Sequence, residues 1–344
     1  MSTQIRVGVI GAGANTRSLH IPRLQAIDGV EVESVCNRSQ DSGKRVAAEF
    51  GIRHVLPTWR AVVESDVDAV VIGTWPYLHE SVTLAALGAG KHVLCEARMA
   101  RDAAEARRML VASREHPDLV AQIVPSPMTL RVDRTIQRLI ADGLLGELLV
   151  VEARVSTGFL DREAPLHWRQ DTDLSGRNIM SMGIWYEAMM RWVGTASRVS
   201  AMGRTFVSRR LDASGVLRDA LVPEHIDLTA DLHCGAQLHL QVSSVTGLFR
   251  DPEVYLCGSE GTIRYDGGSD TVWVGRRGED EMTQVDVSPE DVRSWRVEDE
   301  FVGAIRGEEE IVLTPFAVGL QYMEFTDAVS RSLSSGCVTL VKPA

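Results

Sequence analysis

Ile5-Arg6-Val7-Gly8-Val9-Ile10-Gly11-Ala12-Gly13-Ala14-Asn15 sets the architecture of the first part of this chain. Its first six residues form a nearly continuous apolar run, the pattern of a strand buried on both faces of a parallel sheet. Beyond the glycines, Leu19, Ile21, Leu24 and Ile27 suggest one face of a helix, with Pro22 near its start rather than its middle. Val30-Glu31-Val32-Glu33-Ser34-Val35 reads as a second strand. Strand, glycine turn, helix and strand follow within about thirty residues, which is a βαβ unit. A Gly-x-Gly in that context lets the backbone approach a pyrophosphate at the helix N-terminus. Gly11, Gly13, Ala14 and Asn15 are therefore candidate contacts for a dinucleotide cofactor. Thr16 stands where the fingerprint usually has a third Gly or Ala.

The alternation continues downstream. Residues 46–50 close a helix stopped by Gly51, 68–73 read as a buried strand, and 79–87 as a helix stopped by Gly88. His92-Val93-Leu94-Cys95 is a strand, 103–113 a helix and 120–124 a strand. Alternating β and α over about 120 residues implies a doubly wound sheet. Residues 1–124 are thus expected to form a Rossmann nucleotide-binding domain. After Pro125 and Pro127 the rhythm changes. Residues 130–140 suggest a helix ended by Asp142-Gly143. On either side of Gly235, 226–234 and 236–242 place apolar residues at every second position, as in an antiparallel hairpin with one polar face. Short strands near 254–256, 262–265 and 272–274 and a closing helix over 316–333 complete the pattern. The expected class is α/β, with an α+β domain over 125–344 whose sheet is mostly antiparallel.

Composition narrows the function. The 344 residues carry a net charge of −11, which argues against a nucleic-acid partner, and 44% hydrophobic residues supply ample core. No apolar run reaches the length of a membrane span. Met1-Ser2-Thr3-Gln4 leads directly into the first strand, so a cytoplasmic location is expected. The five cysteines lie far apart without a C-x-x-C, which favours neither a disulfide framework nor a zinc site. His225, His233 and His239 lack the Cys or carboxylate spacing of a metal centre. No metal is expected.

The end of the second strand bears on cofactor choice. NAD enzymes usually place an acid there for the ribose 2′-hydroxyl. This chain has Asn37-Arg38-Ser39. Arg38 can pair with a 2′-phosphate, and Asn37 and Ser39 can donate hydrogen bonds to it. The expectation is NADP, or NAD if Arg38 stacks on the adenine instead. Thr74-Trp75-Pro76, with Tyr77 and His79, follows another parallel strand at the carboxyl edge, where open α/β sheets bind ligands.

The chain resembles the Gfo/Idh/MocA family, named for glucose–fructose oxidoreductase and inositol dehydrogenase. The resemblance covers nearly the full length. It rests on Gly11-Ala12-Gly13, Gly73-Thr74-Trp75-Pro76-Tyr77-Leu78-His79, Gly90-Lys91-His92-Val93-Leu94-Cys95-Glu96 and Ala141-Asp142-Gly143-Leu144-Leu145-Gly146-Glu147. Leu166-His167-Trp168-Arg169 and Gly258-Ser259-Glu260-Gly261-Thr262 extend it. It implies a bound nicotinamide cofactor, and oxidation of a secondary alcohol on a sugar or cyclitol, or reduction of the ketone. It also implies self-association as a homodimer or homotetramer packed through the antiparallel sheet.

The family's polar catalytic positions are altered here. Members usually follow Cys-Glu with Lys-Pro, whereas this chain has Cys95-Glu96-Ala97-Arg98. Without the proline a trans peptide is expected. The family's Asp and His, one helical turn apart, correspond to Ser181 and Trp185. Neither can act as a general base near neutral pH. The expected replacements are Arg98, a fixed cation, and Tyr186 or Glu187 as proton-handling groups. Glu96, Thr74, Trp75, Pro76 and His79 are expected at the cofactor, and His167, Trp168, Arg169 and Trp185 at the substrate, with Trp168 and Trp185 as an aromatic wall. The reading is an NAD(P)-dependent oxidoreductase of a small polar metabolite with a divergent site. The alternatives are a nucleotide-binding or regulatory protein without turnover, and a redox-neutral enzyme that regenerates its cofactor.

Overall fold

The computed structural model describes residues 4–249 and 252–344; the opening Met1-Ser2-Thr3 lies outside them. The chain begins with β1 (Ile5–Ile10), whose residues are buried on both faces apart from Arg6. A π-helical turn, Thr16–His20, runs into α1 (Ile21–Ala26). β2 (Val30–Cys36), α2 (Gln40–Phe50), β3 (His54–Val55), α3 (Trp59–Val63) and β4 (Ala69–Ile72) follow. Then come α4 (His79–Gly88), β5 (His92–Cys95), α5 (Ala103–Glu115) and β6 (Ala121–Ile123). Local chemistry marks the helix starts. Side chains of Ser39, Thr58 and Asp102 accept the first-turn N–H groups of Ser42, Ala61 and Glu105. The six strands pair in parallel in the order β3-β2-β1-β4-β5-β6, the Rossmann arrangement with its crossover between β1 and β4.

The second half runs α6 (Asp133–Ala141), β7 (Leu148–Ser156), α7 (Thr172–Ser175), α8 (Met182–Val193), β8 (Ala196–Arg204), β9 (Arg209–Leu211) and β10 (Leu217–Asp219). It continues with β11 (His225–Leu232), β12 (Gln237–Ser243), β13 (Glu253–Gly258), β14 (Gly261–Asp266), β15 (Thr271–Arg276) and β16 (Thr283–Val285). α9 (Val297–Arg306), α10 (Phe316–Ser335) and β17 (Thr339–Leu340) close the chain. Nine strands order as β16-β15-β14-β13-β7-β12-β11-β8-β17, antiparallel except where β7 meets β12. The expected hairpin is β11–β12, in register from His225 opposite Ser243 to Asp231 opposite Gln237.

The boundary at 124 divides the sequence but not the cores. Val297, Phe301 and Val302 of α9 return to the nucleotide-binding sheet and pack with Val7, Val9, Ile21, Leu24 and Val71. Phe301 is fully buried, so truncating it to alanine would cost about 3–5 kcal/mol. α10 packs against α5 on one side and β8 on the other, a shared layer between the two sheets. Among the described residues no helix is long and apolar enough to cross a membrane.

Candidate active site

The glycine turn is held by its neighbours. Gly11 donates to the Cys36 carbonyl at 2.8 Å, and the Ala12 N–H donates to Asn37 Oδ1 at 2.7 Å. Gly11 has φ +86°, and a β-carbon there would lie 2.6 Å from Thr74 Cγ2 and 2.7 Å from Thr74 N. Gly73 is equally constrained, because a β-carbon would meet Thr16 Oγ1 at 2.1 Å and the Gly11 carbonyl at 2.4 Å. Thr16 replaces the third glycine by turning its hydroxyl back onto the Gly11 carbonyl at 3.3 Å. Gly13, Ala14 and Asn15 are exposed, and a β-carbon at Gly13 would touch nothing nearer than 3.9 Å. That is the open side, where a helix start offers its N–H groups to an anion.

Asn37 and Ser39 do not remain free for a ribose. Asn37 spends its oxygen on Ala12 and donates its amide to Ser42 Oγ at 2.9 Å, while Ser39 caps α2. Arg38 is exposed, with its guanidinium 5.6 Å from the centre of the Trp75 ring. Thr74 Oγ1 is buried without a hydrogen-bond partner. These features fit a dinucleotide: an open helix start, a glycine turn in contact with Thr74, an orphaned hydroxyl and a basic end to β2.

Behind the turn lies a charged bridge that the sequence did not announce. His20 is fully buried, with Nδ1 2.5 Å from Glu298 and Nε2 3.2 Å from Glu96. Burial opposes the imidazolium, but the two carboxylates hold its pKa up at about 9. Glu96 also accepts the Ala97 N–H at 3.0 Å. Burial pushes its carboxyl upward, but His20 and that N–H outweigh it and leave the pKa below the ordinary value. Glu96 is thus engaged by His20 of the π-helical turn, which also binds Glu298 of α9, and does not present a free carboxylate.

The Ala97–Arg98 peptide is cis, which corrects the trans expectation. Its surroundings fix the geometry. Met99 donates its N–H to the Tyr322 hydroxyl at 2.6 Å, and fully buried His79 bridges the carbonyls of Arg98 (3.0 Å) and Thr74 (2.9 Å). Burial pushes the His79 pKa down, so its neutral ring donates one N–H at a time. Arg98 is 2% exposed. Its side chain passes α8 at Gly183, where a β-carbon would come within 2.9 Å of Arg98 Cδ.

A short turn from the second half covers this edge. His167 Nδ1 accepts the Arg169 N–H at 3.2 Å, and Gln170 Oε1 accepts the His167 N–H at 3.1 Å. The turn stacks Trp168 on Trp75, with ring centres 5.8 Å apart and planes 15° from parallel. The Arg169 guanidinium lies over the Trp168 ring, 4.1 Å from its centre. The structure thus joins Arg38, Trp75, Trp168 and Arg169, with Arg98 close enough for Arg169 to lower its pKa.

Other expected site residues go elsewhere. Trp185 is buried against Tyr265, ring centres 6.5 Å apart, so Trp168 finds its aromatic partner in Trp75 instead. Tyr186 is 1% exposed, stacks on Phe325 and accepts the Ala196 N–H at 2.7 Å. Burial raises its pKa far above neutral, so this hydroxyl is structural. Glu187 accepts the Ser126 N–H at 3.0 Å and the Thr314 hydroxyl at 2.6 Å, and burial raises its pKa too. Both point into the core because they occupy the inner face of α8, a direction that residue type alone does not reveal. A groove of about 520 Å³ between α5 and α10, lined by Arg107, Arg108, Val111 and Glu324 among others, contains none of the site residues. Among the described residues no three His, Cys, Asp or Glu side chains gather as a metal site.

Known proteins share this fold. Residues 5–123 match the family profile described as an oxidoreductase family with an NAD-binding Rossmann fold, and residues 134–264 match the GFO/IDH/MocA C-terminal domain. Glucose-fructose oxidoreductase domain-containing protein 2 of Mus musculus is 29% identical over 268 residues, covering 75% of this chain and 66% of that protein. The chain thus spans just under two thirds of that relative's length. The 1,5-anhydro-D-fructose reductase of Ensifer adhaerens is 43% identical over 111 residues, 32% of this chain and 33% of the relative. A levoglucosan dehydrogenase solved in complex with NADH is similar in fold, with a TM-score of 0.84 over 99% of this chain and 100% of that one at 19% identity. With both halves matched and the sheet order, glycine turn and carboxyl edge in place, the chain belongs to the Gfo/Idh/MocA oxidoreductase family.

Proposed function

We propose that the protein is an NAD(P)-dependent oxidoreductase of a small polar hydroxy or carbonyl compound, a sugar, cyclitol or related metabolite. The observation that carries this reading is the convergence at one sheet edge. The ends of β1, β4 and β5 present the glycine turn, Thr74-Trp75 and Ala97-Arg98, and Trp168-Arg169 stacks on Trp75. Bound nicotinamide would give or take the hydride there. Gly13, Ala14 and Asn15 would hold the pyrophosphate, and Thr74 Oγ1 would gain its missing partner. The sugar-derived compounds in the names of the reductase and levoglucosan dehydrogenase relatives support the substrate class. The reading extends to a cytoplasmic protein that self-associates through the polar face of its nine-stranded sheet.

NADP is the preferred cofactor in this proposal. With Asn37 and Ser39 tied to the turn and the helix cap, Arg38 is left to meet a 2′-phosphate. Calorimetry with NAD, NADH, NADP and NADPH tests both levels. Arg38→Ala should weaken NADP at least tenfold and leave NAD nearly unchanged. Equal losses would reject the phosphate role, and no affinity for any of the four would reject the oxidoreductase reading itself.

A second reading, cofactor binding without net turnover, is favoured by one observation. Ala97, Ser181 and Trp185 offer no group that titrates near neutral pH at the positions where the family resemblance places Lys, Asp and His. Nicotinamide absorbance followed across a panel of sugars, cyclitols, keto-sugars and their acids separates the two. Tight cofactor binding with no turnover across that panel establishes the second reading, or a redox-neutral reaction in which the cofactor is regenerated.

A further inference from the structure

Only two arginines are fully buried among the described residues, Arg98 and Arg210. Arg210 is neutralised by Glu224 at 2.6 Å and donates to two backbone carbonyls. Arg98 receives nothing comparable: its Nε and Nη1 are buried without a hydrogen-bond partner. An unpaired buried charge is costly, so a fold that keeps one requires a counter-ion from outside. Three further features sharpen the point. Arg169 stands close enough to push the Arg98 pKa, already lowered by burial, down to about 10, which still leaves it charged at neutral pH. Glu96, the carboxylate acting on both arginines, is engaged by His20 and the Ala97 N–H. Alongside Arg98, the N-terminus of α8 has no side-chain cap at Ser181, so the positive end of a twelve-residue helix adds to the same field.

We infer that the substrate carries an anionic group, a carboxylate, seated between Arg98, Arg169 and the first turn of α8. This rests on the proposed oxidoreductase function and names its substrate class: a polyhydroxy acid or its keto form rather than a neutral sugar. A guanidinium matches a planar carboxylate and stays charged throughout the reaction, whereas the lysine usual one residue earlier also exchanges protons. The flat pair Trp75 and Trp168 beside it suits the face of a polyhydroxy chain or ring.

The test uses the full chain loaded with NADP or NADPH, titrated with hexuronates and aldonates, with the matching neutral sugars and inositols, and with inorganic phosphate. The acids should bind at least tenfold more tightly than their neutral counterparts, and Arg98→Met should erase that preference while leaving cofactor affinity unchanged. Without ligand, Arg98→Met should raise the melting temperature by ~2 °C or more, since it removes an unpaired buried charge at similar volume. Arg169→Met should reduce the preference for acids without the gain in stability. Equal affinity for acids and neutral sugars overturns the inference, as does a fall in melting temperature in Arg98→Met, which would make Arg98 a structural group. Phosphate binding as tightly as the acids, and lost in Arg98→Met, overturns the commitment to a carboxylate. Failure of the native protein to bind any nicotinamide cofactor is a different result and would reject the oxidoreductase reading on which this one stands.

Discussion

Replacing His20 with glutamine should change stability in a way that depends on pH. The imidazole sits between Glu298 and Glu96 with no exposure, and its pKa is held at about 9 against an ordinary 6.5. The difference, 9 − 6.5 or about 2.5 units, at ~1.4 kcal/mol per unit corresponds to about 3 kcal/mol of folding stability. Because the folded pKa is raised, this contribution is complete below pH 6.5, falls as pH rises, and is gone above about pH 9. Glutamine binds no proton and leaves two buried carboxylates around one neutral amide, a loss of ~3–5 kcal/mol by analogy with broken buried pairs. The gap in unfolding free energy between the native protein and His20→Gln should therefore be largest near pH 6.5 and shrink by about 3 kcal/mol by about pH 9.5. Urea unfolding of both proteins at half-unit pH steps reads this directly. On the acid side, the depressed Glu96 pKa means that its contribution is present above pH 4.5 and is lost as pH falls through the folded value. A gap that stays constant between pH 6.5 and 9.5 would show His20 to be neutral in the fold and refute the bridge.

Two glycines on the same edge should behave differently. Gly13→Val faces open space and should abolish cofactor binding with little change in melting temperature, whereas Gly73→Ala, driven against Thr16 and the Gly11 carbonyl, should destabilise the fold by about 1–3 kcal/mol. Calorimetry and thermal unfolding of both variants check this. Light scattering at micromolar concentration should give a mass well above 37.7 kDa, and a particle of that mass would contradict self-association. Restoring Ala97→Lys, Ser181→Asp and Trp185→His together should lower stability, because a core tryptophan packed on Tyr265 is lost, and should destroy native activity rather than create turnover of neutral sugars. Such turnover in that variant, followed by nicotinamide absorbance, would show a decayed dehydrogenase instead of a remodelled pocket.

Much of the fold was legible because burial on both sides writes itself locally. β1, β4 and β5 are short apolar runs, and β11 and β12 alternate cleanly because one face of their sheet is polar. β3 has two residues, too few for a period to show. β7 escaped because Leu148-Leu149-Val150-Val151 breaks the alternation, with Leu149 45% and Val150 39% exposed. The return of α9 to the first sheet is a long-range contact with no local signature. The same division holds at the site. The positions of the glycine turn and of Thr74-Trp75-Pro76 at the carboxyl edge, and of Arg38 just after β2, follow from the strand pattern. The pairing of Trp75 with Trp168, the burial of Arg98 and the His20 bridge join segments far apart in sequence, and nothing near any one residue announces them. Tyr186 and Glu187 were misplaced because α8 is apolar nearly all round, so its pattern does not say which face meets the cleft.

On the proposed reading the altered positions share a direction, which the triple variant tests against decay. Where the resemblance places a lysine at 97, a guanidinium appears at the next residue instead, buried, with Gly183 leaving room for its chain. Ser181 leaves the start of α8 uncapped, whereas an aspartate there would place a negative charge on that first turn and compete for Arg98. Trp185 has moved into the core against Tyr265, so it no longer belongs to the cleft. None of the three residues titrates near neutral pH, while Arg98 and the uncapped start of α8 supply positive field. If the protein transfers hydride as proposed, the accompanying proton would have to come from elsewhere on the edge. His20 and His79 have both ring nitrogens engaged, while His167 uses only Nδ1, which accepts the Arg169 N–H and leaves Nε2–H free. Burial and the neighbouring Arg169 push the His167 pKa down, which keeps its ring neutral near pH 7. On the proposed oxidoreductase reading, Arg98 would then serve binding as a fixed cation and His167 would carry the proton, so that binding and proton transfer fall to two residues.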